Sequence, residues 1–387
     1  MKRVYLDYAA TTPVDPRVIK AMLPFFNKKF GNTVSLHYFG REAKRALESS
    51  RETIADLMNA KPEEIIFTSS ATEANNFALK GVAFANKNKG RHIIVSKIEH
   101  HCILESAKWL EKNGFEVTYL SVDKYGLVNL GELERAIRKD TILVSVMHAN
   151  NEIGTIEPIA EIGKICREKG VYFHTDAAQS FGKIPIDVEK MNIDLLTASS
   201  HKIYGPKGAA CLYIRKGVKI EPLLHGGGHE FGLRSSTINV AAIVGFAEAT
   251  KICKIVMNKE SERLTKLRDR LIKEALEIEN SHLTGHPELR LPHIASFWFA
   301  FIEGESLIME LDRYGIAAST GSACSSETLE PSHVLLAIGL KHHQARGSLR
   351  LSIGRWTTTK EVNYVINVLP KAIERLRKIS PYKGKWE

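Results

Sequence analysis

IDLLTASSHKIYGPKGAACLYIR, residues 193–215, reads as an apolar strand, a lysine-bearing turn and a second apolar strand. Lys202 follows the first run directly, and Tyr204, Gly205, Pro206 and Gly208 give the next stretch the composition of a tight turn. Outward from it lie similar short β-rich runs: EEIIFTS (63–69), HIIVSKI (92–98), FEVTYLSV (115–122), TILVSVMH (141–148) and VYFHTD (171–176). Amphipathic stretches separate them, among them ATEANNFALKGVAFANK (71–87), LGELERAIRK (130–139) and AEIGKICREKG (160–170). Such alternation predicts an α/β fold, a large mostly parallel sheet covered by helices.

Beyond the glycine-rich HGGG at 225–228, a long helical stretch from about Ala241 to Ile278 reads as a connector. The segments ASFWFAFIEG (295–304), ESLIMELDRYG (305–315), IAAST (316–320), SLRLSIG (348–354) and KEVNYVINVLPKAIERLRK (360–378) then predict a smaller α+β domain, which the N-terminal segment joins. The expected division is 16–256 for the large domain and 1–15 with 257–387 for the small one.

The chain has 387 residues, 44% hydrophobic and 25% charged, an ordinary globular composition long enough for about two domains. No run approaches the roughly 20 apolar residues of a membrane span, and MKRVYLDYAATTP has no apolar signal segment. A cytoplasmic protein without membrane association is expected. The five cysteines (Cys102, Cys166, Cys211, Cys253 and Cys324) are odd in number and none are at CxxC spacing, which argues against a disulfide framework or a zinc site. Fifty-four basic against 44 acidic residues give a net charge of +10, but the excess is spread along the chain. Its densest cluster, KAIERLRKISPYKGK (371–385), reads as the solvated face of a helix and a tail, so direct nucleic-acid binding is not expected.

Alone, Lys202 would be a solvated turn residue; its partners change that. A partly deprotonated lysine amine forms imines with carbonyl cofactors. Asp176 ends the strand of VYFHTDAAQS and is the residue type that keeps a pyridine nitrogen protonated, with Gln179 three residues on. In FTSSATEANN (67–76) a strand runs straight into a helix, Ser70 and Glu73 have capping-box spacing, and the free amides there suit a phosphate. Ala71 and Thr72 would donate to that phosphate, with Ser199 and His201 reaching it from the lysine turn. His100 in SKIEHHCIL can stack on a ring and assist proton transfer, and Asn151 in VMHANNEIGT can hydrogen-bond a ring hydroxyl or the substrate.

STGSACSSETLEPSH (319–333) sets Cys324 among small and polar residues bounded by Pro331, the composition of a loop with a reactive thiol. The other four cysteines sit in periodic apolar contexts and read as small core residues.

Taken in order, YLDYAATTP (5–13), FTSSATEANN, IEHH, HANNEIGT, HTDAAQS, SSHKIYGPKG, HGGGHE, GSACSS and LRLSIGRWTT (349–358) resemble the cysteine desulfurases. These are class-V aminotransferase-like pyridoxal-phosphate enzymes of fold-type I, and GSACSS is similar to the group with a long catalytic loop associated with iron–sulfur cluster assembly. The resemblance spans nearly the whole chain. It implies pyridoxal 5'-phosphate in the large domain, Lys202 as the Schiff-base lysine, Asp176 at the pyridine nitrogen, His100 on the ring, and Gln179 and Asn151 near its substituents. Ala71, Thr72, Ser199 and His201 would hold the phosphate, and Thr237 of GLRSSTIN matches a phosphate ligand given across a homodimer interface. Arg350 matches the guanidinium that binds the substrate carboxylate, and Asn32 in GNTVSLHYFG is implied near the substrate.

The activity implied is conversion of L-cysteine to L-alanine with the sulfur left as a persulfide on Cys324, for an iron–sulfur scaffold or a tRNA-thiolation acceptor. A selenocysteine lyase, another class-V activity and a non-catalytic scaffold of a sulfur-transfer complex are the alternatives. Three positions depart from the family pattern: Ser70 and Ser236 stand where glycine is expected, and Phe231 where arginine is.

Overall fold

The computed structural model describes residues 3–321 and 331–381. Its strands, in chain order, are β1 (Val4–Tyr5), β2 (Ile65–Thr68), β3 (His92–Ser96), β4 (Glu116–Leu120), β5 (Thr141–Ser145) and β6 (Tyr172–Asp176). They continue with β7 (Leu195–Ser199), β8 (Ala210–Ile214), β9 (Ser281–Leu283), β10 (Ile294–Phe299), β11 (Ile316–Ala317) and β12 (Ser348–Ser352). Seven of them form the large sheet in the order β2-β8-β7-β6-β5-β3-β4. All neighbours are parallel except β8, which runs antiparallel to both β2 and β7. The predicted α/β layering is therefore what the chain adopts, and every predicted run of residues 63–215 contributes a strand.

Both faces of this sheet are covered, which explains why its strands are continuous apolar runs rather than alternating ones. Consecutive residues point to opposite faces. Ile65, Phe67, Ile94, Leu196, Cys211 and Tyr213 join one hydrophobic cluster, while Ile66, Ile93, Val95, Leu195, Leu212 and Ile214 join the other. β4, at one edge of the sheet, departs furthest from full burial and begins with the exposed Glu116, whereas β6 is buried except for the half-buried Tyr172.

The second core gathers Val4 and Leu6, Phe297 and Phe299 of β10, Leu349 and Leu351 of β12, and Val362, Val365 and Leu369 of the helix Thr359–Ile379. Here β12, β10 and β9 form a three-stranded antiparallel sheet, and β1 pairs in parallel with β11. The N-terminal segment thus joins the C-terminal elements. A single helix, Val240–Leu276, serves both cores: Ile243, Phe246 and Ile252 pack below the large sheet, and Leu264, Leu267 and Leu271 pack with the second. Its 37 residues span about 55 Å at the α-helical rise.

Candidate active site

The C-terminal ends of β2, β3, β5, β6 and β7 open on the same edge of the sheet, the edge at which open α/β folds bind ligands. A cavity of about 270 Å³ lies there, walled by Ala71, Thr72, His100, Asn151, Asp176, Gln179, His201, Lys202 and Arg350. Loops from five strand ends and one strand of the second sheet thereby deliver most of the predicted site residues to one space.

Lys202 closes the short 3₁₀ turn Ser200–Lys202 directly after β7. Its Nζ donates to the carbonyls of Ala9 (2.6 Å) and Ala10 (2.8 Å), so the N-terminal segment braces it. The turn is tight. A Cβ on Gly205 would lie 2.1 Å from Ser200 Oγ, and the buried Tyr204 adopts φ +68°, a left-handed conformation that costs a non-glycine residue about 1–3 kcal/mol. Thr12 holds that conformation, its Oγ1 accepting from Tyr204 N (2.8 Å) and donating to the His201 carbonyl (2.9 Å).

Asp176 ends β6, with Oδ1 accepting from Ala178 N (2.9 Å) and Oδ2 from Asn75 Nδ2 (2.7 Å). Gln179 donates through Nε2 to the Ala9 carbonyl (2.9 Å), and its Oε1 is buried with no hydrogen-bond partner among the described residues. His100 caps the helix His101–Lys112, its Nδ1 accepting from Cys102 N at 3.2 Å. Burial pushes its imidazole below the usual histidine range, with Lys202, His101 and His333 acting the same way and Asp176 opposing them. Burial, then Lys202 and two further lysines, bring His201 down to about 4.

Arg350 is 3% exposed on β12 and gives Nη1 to the Asn151 carbonyl and Nη2 to Asp7 Oδ1, each at 2.8 Å. Its Nε is buried without a partner among the described residues. At the start of the helix Ala71–Asn76, Ser70 Oγ accepts from Glu73 N (3.1 Å) as the capping box requires. The reciprocal bond differs from the expected one: Glu73 reaches back to Ser69 N (2.8 Å) and takes a bidentate contact from Arg234 (2.7 and 3.0 Å). That ion pair draws the carboxylate away from the Ser70 amide.

Other predicted residues lie elsewhere. Ser199 is buried in β7 outside the cavity wall, and Asn32 and Thr237 lie on the exposed surface of this single chain. Cys324 lies outside the described residues. Cys102 is a correction: expected as a core residue, it lines the cavity instead, because it occupies the first turn of the helix that His100 caps. Asn75 and Asp7 were not singled out. Asn75 follows Ala71 by one helical turn on the same face, a spacing that marks it as inward-facing; Asp7 carries no comparable signal.

The family described as Aminotransferase class-V matches residues 4–365. The chain belongs to that family and, within it, to the cysteine desulfurases. It is 55% identical to the cysteine desulfurase IscS of Dictyoglomus turgidum over 389 residues, covering 100% of this chain and 99% of the relative. With the cysteine desulfurase IscS of Methanosarcina thermophila it shares 53% over 384 residues, 99% and 95% of the two chains. Among solved structures, a NifS-like protein superposes with a TM-score of 0.92 at 41% identity, covering 97% of this chain and all (100%) of that one. SspA in complex with cysteine superposes at 0.82 with 38% identity, covering 92% and 100%. This family membership and the fold agree with the resemblance carried by the ordered motifs.

Proposed function

We propose that this chain is a pyridoxal-phosphate-dependent cysteine desulfurase that converts L-cysteine to L-alanine and leaves the sulfur as a persulfide on Cys324. The observation that supports it most is the convergence of an amine (Lys202), a carboxylate (Asp176), an imidazole (His100) and a guanidinium (Arg350) on one cavity. The donor set fits pyridoxal 5'-phosphate. Lys202 is the amine for its aldehyde, Asp176 the anion for its ring nitrogen, and the unpartnered Gln179 Oε1 an acceptor for its ring hydroxyl. Ala71 and Thr72 at a helix start, with His201, would take its phosphate.

When bound, the cofactor supplies a carbonyl that captures amines and a ring that withdraws charge from the substrate Cα. The chain's own residues do the rest. Arg350 fixes the substrate carboxylate through the guanidinium edge that includes its free Nε. Lys202 would carry the Cα proton, and Asp176 would supply the negative charge that keeps a bound ring nitrogen protonated. The Cys324 thiolate attacks the substrate sulfur, so the Cβ–S bond breaks as the S–S bond forms, and a proton completes alanine. One cysteine and one thiol become one alanine and one persulfide, with no outside oxidant or reductant.

Thr237 and Asn32 complete this reading only in a homodimer. The exposed apolar residues Leu23, Phe26, Phe30, Val34, Leu36 and Phe39, in the segment that carries Asn32, support a second copy there. An iron–sulfur scaffold or a tRNA-thiolation protein is the acceptor class we assign to the persulfide. Among the described residues no helix is long and apolar enough to cross a membrane, and we place the enzyme in the cytoplasm.

The test is incubation of the loaded full chain with L-cysteine, measuring alanine, sulfide under reductant, and persulfide mass on the peptide holding Cys324. Equimolar alanine and sulfide, both lost in Cys324→Ala, are expected. Undiminished sulfide release by Cys324→Ala would overturn the role of that residue, and absence of alanine the reaction itself.

A further inference from the structure

Four side chains join the two faces of the proposed cofactor cavity. Asn75 Nδ2 donates to Asp176 Oδ2 (2.7 Å) and also to Cys102 Sγ (3.1 Å), and Cys102 Sγ lies 3.1 Å from His100 Nδ1. The Asp176 carboxylate can only accept, so the Asn75 amide must turn its NH₂ group toward it and toward the sulfur. A flipped amide would set two oxygens against each other. Asn75 is completely buried (0% exposed), and the other end of its amide, Oδ1, has no partner among the described residues, so none of them competes for its orientation.

The sulfur therefore receives a hydrogen and has its own S–H left to give. Two groups lie within its reach, the Thr72 hydroxyl and His100 Nδ1, and Nδ1 already accepts from the Cys102 backbone N–H at 3.2 Å. A backbone N–H cannot reverse its role. Nδ1 must carry a lone pair, and the neutral ring must carry its proton on Nε2.

We propose that Cys102 and Asn75 are positioning residues that lock His100 as the neutral Nε2–H tautomer, so that it meets the cofactor and substrate as a hydrogen-bond donor and not as a base. Cys102 then acts through its proton and not as a nucleophile. Burial, with Asp176 next, pushes its thiol up to about 12 against the lowering effect of Asn75 and Thr72, so the S–H persists across the working pH range. Protonating Nδ1 would break two bonds at once and place a cation at a helix N-terminus, where the dipole opposes it. Besides the Cys102 thiol, the charged and titratable groups facing the ring are Asp176, Lys202, His101 and His333, and of these four only Asp176 favours the cation.

The catalytic consequence rests on the proposed function, but the tautomer is a property of the chain alone and is observable without turnover. The test is ¹⁵N NMR of histidine-labelled full chain, cofactor-free and loaded, across pH. His100 is expected to show an unprotonated Nδ1 and a protonated Nε2 at pH values where exposed histidines are already charged. Cys102→Ala removes one neutral hydrogen bond to the lone pair and raises the His100 titration by roughly 0.5–1 pH unit. Cys102→Ser, whose hydroxyl can donate in the same place, returns it toward the wild-type value. In turnover, the acid limb of kcat/KM moves up in Cys102→Ala and back in Cys102→Ser, with KM within about twofold. An Nδ1–H tautomer in the wild type, or Ala and Ser variants that titrate alike, overturns the proposal. A wild type with the Nε2–H tautomer and no desulfurase activity would instead overturn the proposed function and leave the lock standing.

Discussion

Arg350→Lys tests whether the buried guanidinium is a carboxylate receptor or a structural pin. Two of its nitrogens are already committed at 2.8 Å, Nη1 to the Asn151 carbonyl and Nη2 to Asp7 Oδ1, and Nε is buried without a partner among the described residues. A substrate carboxylate would pair with that Nε and with the remaining Nη2 hydrogen beside it. A lysine ammonium has three hydrogens and no planar fork, so it can satisfy Asp7 and Asn151 with one hydrogen left. At least one charge-assisted bond is lost, about 1.5–3 kcal/mol, or roughly 10- to 150-fold in kcat/KM. The carboxylate is held in ground and transition states alike, so the loss should fall mainly on KM. The assay is steady-state alanine formation from L-cysteine beside sulfide release from cysteamine, the same thiol amine without its carboxylate. Wild type and Arg350→Lys should differ by that factor with cysteine and by under about threefold with cysteamine. An equal loss with both substrates, or an unchanged KM for cysteine, would refute the receptor role and leave Arg350 as a brace between Asp7 and β12.

Lys202→Ala should lose both the visible absorption of the bound cofactor and the covalent mass fixed by borohydride; a normal spectrum contradicts the anchoring role. The pair Arg51–Glu230 is almost fully buried, with side chains 2% and 1% exposed and two 2.8 Å bonds, while Glu230 also accepts from Phe67 N. Arg51→Ala strands that carboxylate and should cost about 3–5 kcal/mol in urea unfolding, whereas the apolar double variant Arg51→Met with Glu230→Leu should recover most of it. A double variant less stable than Arg51→Ala sinks this view. Burial raises Glu157 from 4.5 to about 8, so the folded state holds a proton that the unfolded state releases between those values, and stability falls as pH rises through that window. His148, lowered by burial from 6.5 to about 4, acts oppositely: the unfolded state takes up the proton, and stability falls as pH drops below 6.5. Glu157→Gln should therefore flatten the decline between pH 6 and 8 in unfolding curves, a change on the order of a few kcal/mol, and leave the acid side unaltered.

The large sheet was legible because its signal is local: each strand is a short apolar run, and each connection brings its own turn residues. The gathering of the candidate residues was legible for a related reason. In an open parallel sheet the loops after the strands meet at one edge, so Ala71, His100, Asn151, Asp176 and Lys202 converge once the strands are recognised. Asp7 shows the limit. It matters only because β12, 343 residues away along the chain, presents Arg350 to it, and no periodicity encodes that meeting. Cys102 was misread for a different reason: an apolar-looking helix turn is amphipathic toward a cavity as readily as toward a core. Asn32 and Thr237 are exposed in the single chain, so nothing in its own packing marks them as site residues.

The electrostatics of the cavity follow from the same crowding. Lys202, Arg350, His100 and His201 share about 270 Å³, and four cations in that space would repel one another strongly. Burial resolves this by keeping the two imidazoles neutral, His201 at about 4 and His100 below its usual range, which turns them from charges into hydrogen-bond partners of defined polarity. Arg350 is offset by Asp7, and Asp176 supplies the second anion at the opposite wall. What remains is a pocket with one ion pair, Arg350–Asp7, a lysine amine, the Asp176 carboxylate and directed neutral donors, an arrangement that suits a ligand carrying an anionic end, a cationic ring nitrogen and a carboxylate-bearing substrate. The Nε2–H of His100 belongs to that economy: a charged imidazole would disturb the balance, and the other tautomer would present a lone pair where a donor is wanted.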